Sequence, residues 1–343
     1  LKRLMQYVCR KLIFFSIPAG ARFYAKPYSD TGPQWQYLGQ TPLDNVRLPQ
    51  GMLRLKLEKE GFRTVNDIVP ARISNKLPYT LPKAGSVREE MELLPDASYW
   101  PALRVVGFKL PAVETIGDFQ MDRYEVTNRD YKRFVDGGGY ENPQFWKQPF
   151  IQDGETILWK EAMALFKDKT GRPGPATWEV GDYPKGQEDY PVAGVSWYEA
   201  AAYAEFVGKQ LPTIYHWIRA AFTHGGQEIV PLGNFGGSGP RPVGISRSMN
   251  RYGIYDLAGN VREWCYNDST RRGQRFILGG GWNDLVYIFA GGAPTQPAFD
   301  RSETNGFRCI KYSGSENNQA NLEKMIEMHF RDLLREPQVS DET

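Results

Sequence analysis

Between positions 282 and 305 the sequence gathers side chains suited to recognition. Trp282, Tyr287 and Phe289 offer flat apolar area at low entropic cost, and Asn283 and Asp284 add directional polar groups. Asp300, Arg301, Ser302 and Glu303 can form a charged rim, and Asn305 closes the segment. These residue types predict a groove for a small molecule or an extended peptide. The same residues admit a second reading. In it Trp282 and Phe289 are core, Arg301 is neutralised by Asp300 or Glu303, and the loop is a solvated cover.

Chemistry of other kinds is scarce. Three cysteines, Cys9, Cys265 and Cys309, allow one bridge at most, so a disulfide scaffold is excluded. Three scattered histidines, His216, His224 and His329, are too few for a zinc site of the usual composition. No phosphate-binding G-x-x-x-x-G-K-[ST], no H-E-x-x-H and no G-x-S-x-G occurs, and Gly237-Ser238-Gly239 lacks the third glycine of a dinucleotide loop.

With 42 Lys and Arg against 40 Asp and Glu, the net charge of +2 gives no field to draw the 343-residue chain onto nucleic acid or an anionic membrane. Hydrophobic residues at 41%, aromatics at 13%, 35 Gly and 24 Pro exclude both a disordered and a mainly helical chain. The longest apolar run, around positions 12–17, is far below the roughly 18 residues of a membrane span. The chain starts at Leu1 without the apolar region or cleavage site of a signal peptide, and is read as a piece of a longer protein. Membrane attachment would then come only through missing flanks.

Two kinds of element must position the candidate residues. Early in the chain, Met52-Leu53-Arg54-Leu55-Lys56-Leu57-Glu58 alternates apolar and polar, which puts Leu53, Leu55 and Leu57 on one buried face of a strand. Later, Thr127-Asn128-Arg129-Asp130 and Ser196-Trp197-Tyr198-Glu199 are capping boxes that open helices, and Pro212-Thr213 starts a third helix carrying Trp217, Ala220 and Ala221. A proline-rich joint over 70–90 separates the two regions. The expected organisation is an upstream helix remnant at 1–11, a small β-sandwich at 12–83 that folds by itself, a second domain at 86–313, and a C-terminal helix and linker at 314–343. In that tail Leu322, Met325, Ile326, His329 and Leu333 share a helical face suited to docking.

The order of Pro18-Ala19-Gly20-Ala21, Leu38-Gly39-Gln40-Thr41-Pro42, Leu48-Pro49-Gln50-Gly51 and Lys59-Glu60-Gly61-Phe62 resembles the PEGA module of bacterial surface and signalling proteins. Five later segments resemble successive signatures of the formylglycine-generating enzyme (sulfatase-modifying factor) family: Asp122-Arg123-Tyr124-Glu125-Val126-Thr127-Asn128, Pro191-Val192-Ala193-Gly194-Val195-Ser196-Trp197, Gly208-Lys209-Gln210-Leu211-Pro212-Thr213, Gly253-Ile254-Tyr255-Asp256-Leu257-Ala258-Gly259-Asn260-Val261-Arg262-Glu263-Trp264 and Asn305-Gly306-Phe307-Arg308-Cys309. The resemblance implies an irregular α+β domain related to C-type lectins. Together the two parts look like the region downstream of the kinase domain in certain large bacterial serine/threonine kinases.

Enzymes of that family hold copper on two cysteines just after an Arg-Gly-Gly segment. Here Asp284 and Phe289 fall at those positions, and a carboxylate with a phenyl ring cannot replace thiolates for soft Cu(I). Copper and formylglycine-type oxidation are therefore not expected, and a relative's histidine iron site is equally missing. The family also implies a structural Ca²⁺ held by Asp256, the carbonyls of Gly259 and Val261, and Glu263, with pairing of Glu263 to an arginine as the alternative. A family cysteine that pairs with the Cys309 position is Ala204 here, which leaves Cys309 a free thiol or a partner of Cys265. His216, where the family usually has a capping Glu, is given no chemistry. The resemblance places the substrate cleft along 282–305. The functional expectation is a non-catalytic ligand-binding or sensory module of a bacterial signalling protein, with flanking domains as partners and no nucleic acid. Its rivals are an enzyme independent of copper thiolates and a structural spacer. Localisation stays open, the extracytoplasmic part of a membrane-anchored kinase being one placement.

Overall fold

The computed structural model describes residues 9–30, 32–69, 76–98, 115–221, 230–246, 248–269, 273–291, 295–312 and 322–323. Seven strands build the N-terminal unit: β1 (Cys9–Ile17), β2 (Arg22–Pro27), β3 (Gln36–Gln40), β4 (Leu43–Pro49), β5 (Leu53–Glu58), β6 (Val65–Val69) and β7 (Lys76–Thr80). They form two sheets, β4-β1-β7 and β3-β2-β5-β6, with β7 parallel to β1 and the other pairs antiparallel. β1 already starts at Cys9, inside the segment expected as a helix remnant.

The alternation in β5 works as its sequence requires. Leu53, Leu55 and Leu57 turn inward onto Leu12, Phe14, Phe23 and Leu77 from both sheets, and the Phe14 and Phe23 rings lie 4.2 Å apart across the sandwich. Aligned sheets that bury one face each need this interdigitation.

The second unit opens with β8 (Met91–Leu94), a short pair β9 (Ala97–Ser98) and β10 (Thr115–Ile116), and β11 (Phe119–Asp122). Next come α1 (Asn128–Asp136), the hairpin β12 (Phe150–Gln152) and β13 (Glu155–Ile157), α2 (Trp159–Leu165), α3 (Trp197–Phe206) and α4 (Ile214–Ala221). The last elements are β14 (Arg262–Asp268), β15 (Gln274–Leu278), α5 (Ile288–Gly291), β16 (Thr295–Pro297), β17 (Asn305–Gly306) and β18 (Ile310–Tyr312). The main sheets are β18-β11-β8 and β16-β15-β14-β17, where β17 runs parallel to β14.

Both capping boxes start helices. Ser196 accepts from the Glu199 amide at 3.2 Å while Glu199 accepts from the Ser196 amide at 2.8 Å. At α1 the amide of Asp130 donates to Thr127 Oγ1, but the shorter Asp130 carboxylate takes the Thr127 hydroxyl at 2.7 Å instead of reaching the backbone. Two cores flank β14. One centres on Trp217, Phe119, Phe276 and Leu278, the other on Tyr131, Phe134, Trp178, Trp197 and Trp264.

The two units meet at a joint. Tyr28, Ile68 and Met249 form a buried cluster with Met52, Leu232 and Tyr255 around them, and Tyr28 Oη donates to the Met249 carbonyl at 2.9 Å. Beside it Arg251 of the second unit faces buried Asp67 of β6 at 3.7 Å, and Asp67 also accepts from Tyr79 Oη at 2.9 Å. Burial, only partly opposed by Arg251 and these hydrogen bonds, pushes the Asp67 carboxyl up to about 6. A second strut runs from Arg63 to Glu92 at 3.4 Å and on to Arg123 at 2.8 Å. Of the tail's expected helical face only Leu322 is among the described residues. It is buried in the Trp217 core, and its carbonyl accepts from Asn267 Nδ2 at 2.7 Å.

Candidate functional site

Three consecutive glycines after β15 bring the candidate segment onto the sheet end. Gly279 and Gly280 hold φ of +92° and +77°, the left-handed region that glycine enters without penalty. A Cβ on Gly281 would lie 2.8 Å from Thr304, so the turn and β17 can touch only through glycine. Trp282 then donates its amide to Asn260 O and accepts from the Gly237 amide, both at 2.7 Å, which pins the loop.

Asp284 is locked where it stands. Its carboxylate accepts from Arg262 Nε at 2.7 Å and Nη2 at 2.6 Å, and from the Gly281 amide at 2.7 Å. Arg262 is fixed in turn, because its amide donates to Thr304 O and its strand pairs with Asn305. Burial works against ionisation of Asp284, but the Arg262 bonds and the Gly281 amide outweigh it and hold the carboxyl below its ordinary range. A charged, bidentately paired carboxylate is a poor proton donor or base.

Around this pair lie Asp300, Ser302 and Asn305. Asp300 accepts from Ser302 Oγ at 2.8 Å and from Asn305 Nδ2 at 2.9 Å, and its charge adds to the field on Arg262. Asn305 is fully buried, and its Oδ1, like the Nε1 of half-buried Trp282, has no hydrogen-bond partner among the described residues. Buried polar atoms without partners cost about 1–3 kcal/mol each, and both of these lie out of contact with solvent. Asn283, Tyr287 and Glu303 are exposed, with Leu285 and Val286 beside Tyr287.

Two of the ten expected groove residues belong elsewhere. Phe289 is in the core beside Trp217, ring centroids 6.1 Å apart, because α5 turns it inward. Arg301 pairs with neither Asp300 nor Glu303. It donates to both oxygens of buried Glu199 at 2.8 and 2.9 Å and to the Lys167 carbonyl at 2.8 Å. A fully buried carboxylate that caps α3 needs a counter-charge, and Arg301 supplies it. The residue that sequence reasoning passed over is Arg262. Its signal was an arginine between Val261 and Glu263, at the start of a strand with buried neighbours.

The two expected calcium carboxylates are otherwise engaged. Glu263 accepts from Arg308 Nε at 2.7 Å, Arg308 Nη2 at 2.6 Å and Trp217 Nε1 at 2.8 Å. Asp256 accepts from the Gly244 amide at 2.9 Å and Ser248 Oγ at 3.3 Å. Glu125 lies close by, accepting from Asn260 Nδ2 at 2.9 Å. Burial, then the charges of Asp256 and Glu263, push its carboxyl well up. Calcium wants about six to eight oxygens turned toward it, and here a guanidinium stands against Glu263, so the donors as arranged do not fit the ion. Dialysed protein is expected to melt at the same temperature with added calcium or with a chelator. A chelator-induced fall in Tm would return calcium to these residues.

The remaining chemistry is quiet. Cys265 and Cys309 are separate, buried free thiols, and burial pushes both well above the ordinary thiol range. His216 is buried in α4, its Nδ1 2.7 Å from Thr213 Oγ1 and its ring edge-on to Phe119 and Tyr312. Among the described residues no helix is long and apolar enough to cross a membrane.

Comparison with known proteins agrees with this architecture. The PEGA domain family matches residues 35–84. Serine/threonine-protein kinase pkn1 of Chlamydia caviae is 36% identical over 221 residues, covering 56% of this chain and 33% of the kinase. Inactive C-alpha-formylglycine-generating enzyme 2 of Mus musculus is 27% identical over 253 residues, covering 60% of this chain and 79% of that protein. The chain thus spans about a third of the length of the Chlamydia caviae kinase. Among solved structures, CarF superposes with a TM-score of 0.43 at 19% identity, covering 64% of this chain and 97% of CarF. The sulfatase-modifying factor enzyme 1-like domain family matches residues 110–313. That is more than half of the sequence, and the chain belongs to this family, with the family's α+β domain preceded by a PEGA domain.

Proposed function

We propose that the chain is a non-catalytic module, binding a small molecule or extended peptide in a sensory role within a larger bacterial signalling protein. The observation that carries this reading is the Arg262–Asp284 pair. It stands where the resembled enzymes place a copper thiolate, and it ties up the one ionisable group at that position. Beside it, Trp282 Nε1 and Asn305 Oδ1 supply one unused donor and one unused acceptor, and Asp300, Ser302 and Glu303 a polar margin. A site with fixed charges and unpaired hydrogen-bonding groups can recognise without reacting. The kinase relatives and the inactive relative support the same role, and placement on the extracytoplasmic side rests on the kinase likeness alone.

The test has two arms. Cu(I) titration against a strong chelator, and incubation with a Cys-x-Pro-x-Arg peptide, should give no stoichiometric copper and no aldehyde. Screening a peptide array and a metabolite panel should return a binder whose affinity drops about tenfold in Asn305→Ala and Asp300→Ala, the loss of roughly one hydrogen bond to a charged or buried group. Aldehyde formation, or a binder indifferent to both variants, would remove the proposal.

A further inference from the structure

A second concave site lies away from the Asp284 loop and shares no lining residue with it. It is a cleft of ≈ 110 Å³ between the loop after α1, helix α3, strand β14 and the docked residues 322–323. Phe145, Trp146, Phe150, Tyr198 and Tyr266 line it with aromatic surface. Their polar atoms are already committed: Trp146 Nε1 donates to Gly139 O at 2.9 Å, and Tyr198 Oη accepts from the Ile151 amide at 2.9 Å. The rings are also braced from behind, Trp146 stacking on Phe166 at 5.4 Å and Phe150 lying 4.8 Å from Tyr198. The cleft is a pre-formed aromatic box.

Charge gives the box a sign. Glu205 of α3 and Glu323 both line it and both act electrostatically on the Tyr266 hydroxyl, while Arg275, which acts there in the opposite sense, is paired with Asp268 at 3.2 Å. Glu205 makes no ion pair among the described residues. Of the lysines at the margin, Lys209 is spent on Asp122 and Glu90, and its side chain is only 8% exposed. Lys147 is exposed to solvent at the rim. The cleft therefore offers aromatic faces and negative charge, a combination that attracts an organic cation electrostatically through ring quadrupoles. Its volume is below the 150 Å³ or so of a cavity that holds benzene, which limits the guest to a single headgroup.

We propose that this cleft binds a small organic cation of the alkylammonium class, a quaternary ammonium group above all, with the rings as walls and Glu205 as counter-charge.

The probe is choline, titrated into the full chain while Trp146 emission or heat is followed, beside its uncharged isostere 3,3-dimethylbutanol. Choline should bind saturably and at least about tenfold more tightly than the isostere, the worth of one desolvated cation–π contact. Glu205→Gln, a change at an exposed position, should remove about fivefold or more of the choline affinity with unchanged Tm, the scale of one partly exposed charge pair. Phosphatidylcholine and phosphatidylglycerol vesicles separate the two sources of the group. Co-sedimentation with the first alone identifies a lipid headgroup, and choline binding without vesicle binding identifies a free metabolite. Equal affinity for choline and its isostere would reduce the site to an apolar hole. No saturable binding of choline or of phosphatidylcholine vesicles would overturn the proposal.

Discussion

Replacing Arg308 by Met is expected to cost about 3–5 kcal/mol of stability, the usual penalty for stripping one partner from a buried ion pair. Arg308 is completely buried, as is Glu263, and the guanidinium also donates to the Tyr255 carbonyl at 2.9 Å and the Asp122 carbonyl at 3.2 Å. Glu125 and Asp256 lie within electrostatic reach, so three carboxyl groups depend on one positive charge. Without it Glu263 is left buried with no opposing charge. Arg308→Lys should recover little, because an ammonium cannot make the two parallel bonds to Glu263. The double variant Arg308→Met/Glu263→Gln should regain a large part of the loss, since the uncompensated charge goes with Glu263. Urea unfolding followed by tryptophan fluorescence reads all three. An Arg308→Met variant within about 1 kcal/mol of wild type would contradict the account, because a surface-like ion pair costs no more than that.

Acid should weaken the second unit through His216. Burial lowers this imidazole to about 3, against 6.5 for a free one. Its folded value is depressed, so its contribution is fully present above pH 6.5 and is lost as pH falls toward 3. Between pH 7.5 and pH 5 the loss amounts to about 2 kcal/mol by linkage. Asp67 acts in the opposite sense. Its carboxyl is raised to about 6 from 3.8, so it stabilises at low pH and loses that contribution as pH climbs through 6. Over the same interval it returns about 1.4 kcal/mol on acidification, to the first unit and its joint. His216→Gln, which keeps a capping side chain at the third position of α4, should flatten the acid dependence of the second unit with little change at pH 7.5. Thermal melts from pH 4.5 to 7.5 decide it. A variant that keeps the full wild-type slope would show that the imidazole does not drive acid loss.

What could be read from the sequence was local. The alternation of β5, the box at Ser196 and the N-cap at Thr127 need only neighbours within a few residues, and each formed where expected, although the Asp130 side chain takes the Thr127 hydroxyl instead of closing a box. The family signatures carried the domain as a whole. What could not be read was pairing across the fold. Arg301 finds Glu199 over 102 residues, Arg308 finds Glu263 over 45, and Arg262 finds Asp284 over 22. An arginine's sequence neighbours do not say which distant carboxylate will be buried beside it, so the sequence suggested for Arg301 a charged rim or, in the second reading, a pairing with adjacent Asp300 or Glu303. Phe289 failed for a related reason. The loop after Trp282 winds into a single helical turn at α5, and within that turn Phe289 packs against Trp217.

The joint between the units also bears on how such proteins can be recombined. Chains assembled from PEGA domains and enzyme-like domains invite description as interchangeable beads. Here the outer surface of one bead is finished by the other. Asp67 has a buried carboxyl whose cation, Arg251, is on the far side, and Tyr28 spends its hydroxyl on the Met249 carbonyl. A transplanted N-terminal unit would carry an acidic group and an apolar patch cut to a vanished neighbour. Cut-and-paste at this boundary must therefore move Asp67 and Arg251 as one inherited unit, or replace both.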